Sequence, residues 1–117
     1  MINIRKVAYT KHPNGKWAPV TDCYWECGWQ GSGLRVEIKA GTLFDSSVPK
    51  LLTWLVSRDH PAWLPAALIH DELLKRYPDR SFAAGEWFRA ARSMAKRDSK
   101  RKLVAPAYYA VVLWTVK

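Results

Sequence analysis

The stretch Gly41-Thr42-Leu43-Phe44-Asp45-Ser46-Ser47-Val48-Pro49-Lys50-Leu51-Leu52 marks where the chain changes character. Before it, apolar residues recur at every second position; after it, at every third and fourth, so a sheet gives way to helices. Asp45, Ser46 and Ser47 form a polar cluster against apolar neighbours. A second cluster, His70 with Asp71, sits in Ala66-Ala67-Leu68-Ile69-His70-Asp71-Glu72-Leu73-Leu74. Such groups are costly to bury unpaired, so the two clusters are expected to meet each other or a ligand.

Towards the N-terminus, Cys23, Trp25, Cys27 and Trp29 alternate with Asp22, Tyr24 and Glu26, as in a half-buried strand. After a turn at Gln30-Gly31-Ser32-Gly33, Leu34, Val36 and Ile38 alternate with Arg35, Glu37 and Lys39. This second strand is expected to pair antiparallel with the first. Asn14-Gly15, between Lys6-Val7-Ala8-Tyr9 and Trp17-Ala18-Pro19-Val20, is a cue for a two-residue hairpin turn.

Towards the C-terminus, Ser46 or Ser47 can cap a helix that carries Leu51, Leu52, Leu55 and Val56 and stops near Ser57 or Arg58. Pro65 opens a second helix to about Lys75 or Tyr77, on which Ala66, Ile69, His70, Leu73 and Tyr77 share the core face. A breaker at Tyr77-Pro78-Asp79-Arg80 precedes a third helix capped by Ser81, with Ala83, Trp87, Ala90, Ala91 and Met94 on one stripe. The apolar run from Pro106 to Val116 reads as a fourth helix. The fold class predicted is α+β, one domain over residues 1–117, with an N-terminal antiparallel sheet of hairpins packed against three or four C-terminal helices.

The 117 residues are 49% hydrophobic and include seven Trp, enough for a compact core. Nineteen Lys and Arg against ten Asp and Glu give a formal charge of +9, favouring nucleic acid, anionic membrane surfaces or acidic proteins as partners. No run reaches the roughly 18 apolar residues of a membrane span, and no signal peptide opens the chain. Cys23 and Cys27, without a second Cys/His pair, read as small buried hydrophobes of a reduced, cytosolic protein.

Three chemistries compete for the polar residues. Asp45, Ser47, His70 and Asp71 are candidate catalytic groups, since a carboxylate can orient a histidine for general acid/base work and Ser47 is a candidate nucleophile; a hydrolase is the corresponding reaction class. Asp45, His70, Asp71 and Glu86 are candidate ligands for a divalent metal such as zinc, manganese or iron. Against both stands a structural reading, in which Asp45 takes backbone N–H groups, His70 pairs with it in the core, and Asp71 pairs with Lys75 at i,i+4. Separately, Arg89, Arg92, Lys96, Arg97, Lys100, Arg101 and Lys102 form a candidate stripe for non-specific nucleic-acid binding at a basic helix end.

The order of these features resembles the domain-of-unknown-function 1353 family. The residues that carry the resemblance are the strand pair, Gly41, Asp45, Ser47 and Pro49, then His70-Asp71 within an Ala/Leu-rich helix, then a helix containing Ala84 and Phe88, over roughly Trp17 to Trp114. It implies a compact α+β domain of phage or prophage origin, acting in the cytoplasm of a bacterial host. The chain departs from the family's pattern at Gly85, where members carry an acidic residue and Glu86 lies alongside, and at Leu74, where they carry an aromatic. The function expected is a small phage accessory protein with a polar Asp/His pocket of hydrolase-like character. The alternative is a non-enzymatic protein that binds a host or virion protein, or nucleic acid.

Overall fold

The structure, a computed structural model, describes residues 1–45 and 64–94. The chain divides into two compact units, Met1–Asp45 and Ser46–Lys117.

In the first unit, strands β4 (Cys23–Glu26) and β5 (Arg35–Ile38) pair antiparallel with Cys23 opposite Ile38 and Glu26 opposite Arg35. The alternation predicted from sequence holds along this ladder. Cys23, Trp25, Val36 and Ile38 are buried on one face, while the other carries Tyr24 with the Arg35 guanidinium 3.8 Å from its ring centroid. The inward line was expected to run on to Trp29 and back from Leu34, but these are 64% and 62% exposed. Left-handed glycines break the pleat on either side of the turn: Gly28 (φ 86°) ends the parity that buries Cys27 before Trp29, and Gly33 (φ 79°) directly precedes Leu34.

Strand β1 (Ile2–Asn3) joins the same sheet in the order β1-β4-β5, and its pairing with β4 is parallel. The expected all-antiparallel sheet is corrected at this point. Parallel neighbours need a long crossover, and residues 4–22 provide it by folding into a hairpin of their own. That hairpin pairs β2 (Tyr9–Lys11) with β3 (Trp17–Pro19), placing Tyr9 opposite Pro19 and Lys11 opposite Trp17. Its loop has three residues rather than two. His12 donates its N–H to the Lys16 carbonyl (2.7 Å) and accepts from the Gly15 N–H (2.9 Å), so Pro13, Asn14 and Gly15 form the loop, closed by Gly15 at φ 84°. Proline favours the second position of such a turn and glycine the left-handed fourth.

The opening of the deciding stretch belongs to this sheet-rich unit. Phe44 exchanges both backbone hydrogen bonds with Trp17 (3.0 and 2.9 Å), and the Gly41 N–H donates to the Pro19 carbonyl (2.9 Å). Phe44 itself is 1% exposed and meets Tyr9 edge-to-face at 5.7 Å.

In the second unit, helices α1 (Leu64–Arg76) and α2 (Arg80–Met94) pack against each other. Pro65 stands in the first turn of α1, where its missing N–H costs nothing. Alanines at 66, 67, 83, 84, 90 and 91 are all buried, small enough for close helix approach, with Leu68, Ile69, Leu73 and Trp87 filling the interior. Asp79, not the expected Ser81, caps α2. Its Oδ1 accepts from the Ser81 N–H (3.0 Å) and the Ser81 hydroxyl (2.6 Å), and these bonds hold its carboxyl below the usual range. Tyr77 and Phe82 stack edge-to-face across the connection at 5.7 Å.

Two helices are thus present among the described residues, instead of three or four. The helices expected from Ser46 or Ser47 to Arg58 and from Pro106 to Val116 lie outside them. Among the described residues no helix is long and apolar enough to cross a membrane.

Candidate functional site

His70 is the residue at which burial and chemistry meet. It sits on α1 directly after six consecutive buried residues, Leu64 to Ile69, and is itself 4% exposed. Removing an imidazole from water penalises its charged form, and burial accordingly pushes the His70 pKa down to about 4. At neutral pH the ring is uncharged, with one nitrogen a donor and the other an acceptor. This inward placement agrees with the helical stripe read from sequence.

The adjacent Asp71 does not follow it inward. Neighbouring helix positions point about 100° apart, and the Asp71 side chain is 31% exposed and 3.8 Å from Lys75, one turn on. Glu72 makes the equivalent contact with Arg76 at 3.1 Å. The His-Asp pair of the sequence is therefore split by geometry into an inward base and an outward, ion-paired acid.

Glu86 on α2 is also buried, 5% exposed. It falls on the inner stripe with Ala83, Trp87 and Ala90, and its Oε1 accepts a 2.7 Å hydrogen bond from Arg89 Nη1. That pairing satisfies part of a group otherwise expensive to bury. It also engages Arg89, which is half-buried rather than a fully solvated member of a basic stripe; Arg92 is exposed. Gly85 is half-exposed, and a Cβ placed there meets nothing within 4 Å.

Asp45 closes the first unit and is exposed. Ser47 lies outside the described residues, as do Lys96, Arg97, Lys100, Arg101 and Lys102. Among the described residues no three His, Cys, Asp or Glu side chains gather into a metal-holding group. Cys23 and Cys27 are buried and unbridged, and burial together with the charge of Asp22 raises the Cys23 thiol to about 11. It is inert as a nucleophile at neutral pH.

One organising carboxylate was missed from sequence. Glu26 accepts backbone N–H bonds from Gly31 (3.1 Å) and Gly33 (3.4 Å), fixing the loop between β4 and β5. The available signal was an acid five and seven residues before a Gly-x-Gly pair.

The sequence profile of a family of proteins of unknown function, DUF1353, matches residues 25–111. The match begins inside β4 and takes in β5, the Gly41–Asp45 segment and both helices, leaving β1, β2 and β3 outside it. No curated protein and no solved structure matches the sequence. Covering most of the chain and running through both compact units, the profile match carries the conclusion: the chain belongs to the DUF1353 family.

Proposed function

We propose that the chain is a small accessory protein of phage or prophage origin, acting in the cytoplasm of a bacterial host, with a polar site of hydrolase-like character centred on His70. The observation that supports this reading is the buried, uncharged imidazole on α1. A neutral imidazole both donates and accepts hydrogen bonds, so it can hold a polar substrate or orient an attacking water. With a pKa near 4 it is a weak base, better suited to positioning than to repeated proton uptake at pH 7. By residue type, Asp45 and Ser47 are separate candidates for a carboxylate and a nucleophile.

The test is hydrolysis of generic ester, phosphoester and amide substrates by the wild type, His70→Asn and Asp45→Asn, with thermal unfolding measured alongside. The proposal expects turnover that His70→Asn removes while the variant stays folded. Turnover absent from the wild type, or undiminished in a folded His70→Asn, overturns it.

A second reading draws on the ion pairs. Asp71, Glu72 and Glu86 are each engaged by a basic neighbour on the same helix, the pattern of a structural helix pair. On that reading the protein works by binding a host or virion protein, and His70→Asn alters stability alone.

A further inference from the structure

The formal charge of +9 is unevenly placed. Residues 22–94 hold nine Lys and Arg against nine Asp and Glu, whereas residues 1–21 hold Arg5, Lys6, Lys11 and Lys16 with no acidic residue at all. Among the described residues, the excess of positive charge therefore belongs to the segment that carries β1, β2 and β3. This segment precedes the family match at residue 25.

The fold presents that charge on a fixed frame. Lys6, Lys11 and Lys16 are exposed, and Lys11 Nζ lies 5.8 Å from the centroid of the Trp17 ring. Lys11 stands opposite Trp17 in the ladder, while Lys16 is bonded across to His12. Successive strand residues alternate faces, so cations emerge from both faces of the hairpin end. The hairpin is anchored at its base by the Tyr9 hydroxyl, which donates to the Ile4 carbonyl at 2.6 Å, and near its loop by the Trp17–Phe44 bridge. An anchored frame lowers the ordering cost of binding.

We infer that the β2–β3 hairpin and the turn leading into it are a contact surface for the phosphate backbone of nucleic acid, with Lys6 on the turn and Lys11 and Lys16 on the hairpin as the contacting cations. Lysines without a base-reading partner neutralise phosphates irrespective of sequence. The hairpin tip, Pro13-Asn14-Gly15, is exposed and has no large apolar side chain to insert into a bilayer. Phosphate on a nucleic acid thus fits this surface better than a lipid headgroup.

The test is the salt dependence of binding to short DNA duplexes of two unrelated sequences, using the full chain, Lys6→Gln/Lys11→Gln/Lys16→Gln, and Lys39→Gln/Lys75→Gln/Arg80→Gln as a charge-matched comparator. The inference expects equal binding to both duplexes. It also expects the slope of log affinity against log salt to shrink by about 0.9 for each hairpin lysine in contact, with the comparator unchanged. Should the triple hairpin variant unfold, Lys16→Gln alone gives the same readout for one contact. A slope unaltered by the hairpin substitutions, an equal loss in the comparator, no wild-type binding at low salt, or binding to phosphatidylserine vesicles but not to DNA overturns it.

Discussion

At the residue scale, two polar side chains are buried among the described residues of the helical unit, and they solve the same problem differently. His70 sheds its charge, with burial moving its pKa down to about 4, whereas Glu86 takes a basic partner at 2.7 Å. The second solution makes a prediction. Arg89→Ala deprives a nearly buried carboxylate of one hydrogen-bonded cation and is expected to lower stability by about 1–2 kcal/mol, at the modest end because the Arg89 side chain is 29% exposed. Glu86→Gln, which removes the charge but keeps the acceptor, is expected to cost less. Chemical denaturation of both variants checks the order, and a larger loss for Glu86→Gln contradicts it. The inward placement of His70 was legible in the sequence because Ala66 and Leu73 lie one turn away from it on the stripe that also carries Ile69. The outward turn of Asp71 was equally legible from Lys75 at i,i+4. The Glu86–Arg89 bond was not, since an i,i+3 pair reads the same on a buried face as on a solvated one.

At the element scale, the sequence was a good guide to ladders and helices and a poorer one to their ends. Period-two alternation from Cys23 to Glu26 and from Arg35 to Ile38 predicts the β4–β5 pairing because one face is buried and the other is not. The same parity failed at Trp29 and Leu34, each of which directly follows a left-handed glycine, Gly28 and Gly33. Ser81 and Asp79 are both good capping residues, and only the position of the first helical residue decides between them. Strand β1, two residues long, is too short for any period to show. Two identical substitutions with opposite outcomes test this account of the backbone. Gly28→Ala puts a Cβ on a residue at φ 86° and is expected to destabilise by roughly 1–2 kcal/mol. Gly85→Ala, within α2 and with nothing within 4 Å of the new Cβ, is expected to stabilise by about 0.5–1 kcal/mol. Thermal unfolding reads both, and a shared sign contradicts the assignment of one glycine to a turn and the other to a helix.

At the scale of the whole molecule, the family match begins within β4 and crosses from the first compact unit into the second, so it takes in β5 and the helical pair, while the β2–β3 hairpin precedes it. The change of period at Gly41 to Leu52 announced that division, and Gly41 to Phe44 proves to belong to the sheet-rich unit. Stability integrates these parts, and His70 links it to pH. A histidine whose folded pKa is about 4 and whose unfolded pKa is about 6.5 binds fewer protons when folded than when unfolded between those values. Stability is therefore complete above pH 6.5 and is lost as pH falls, by up to about 1.4 kcal/mol per pH unit, until the loss levels off near pH 4. Asp79, whose carboxyl is held low by Ser81, also loses stabilisation in acid, but it is common to wild type and variant and cancels in their difference. The most direct measurement is the unfolding free energy of wild type and His70→Asn from pH 4 to pH 8. A wild-type advantage that shrinks steadily below pH 6.5 is the predicted result, and two parallel curves would contradict the buried, neutral imidazole at the centre of the helical pair.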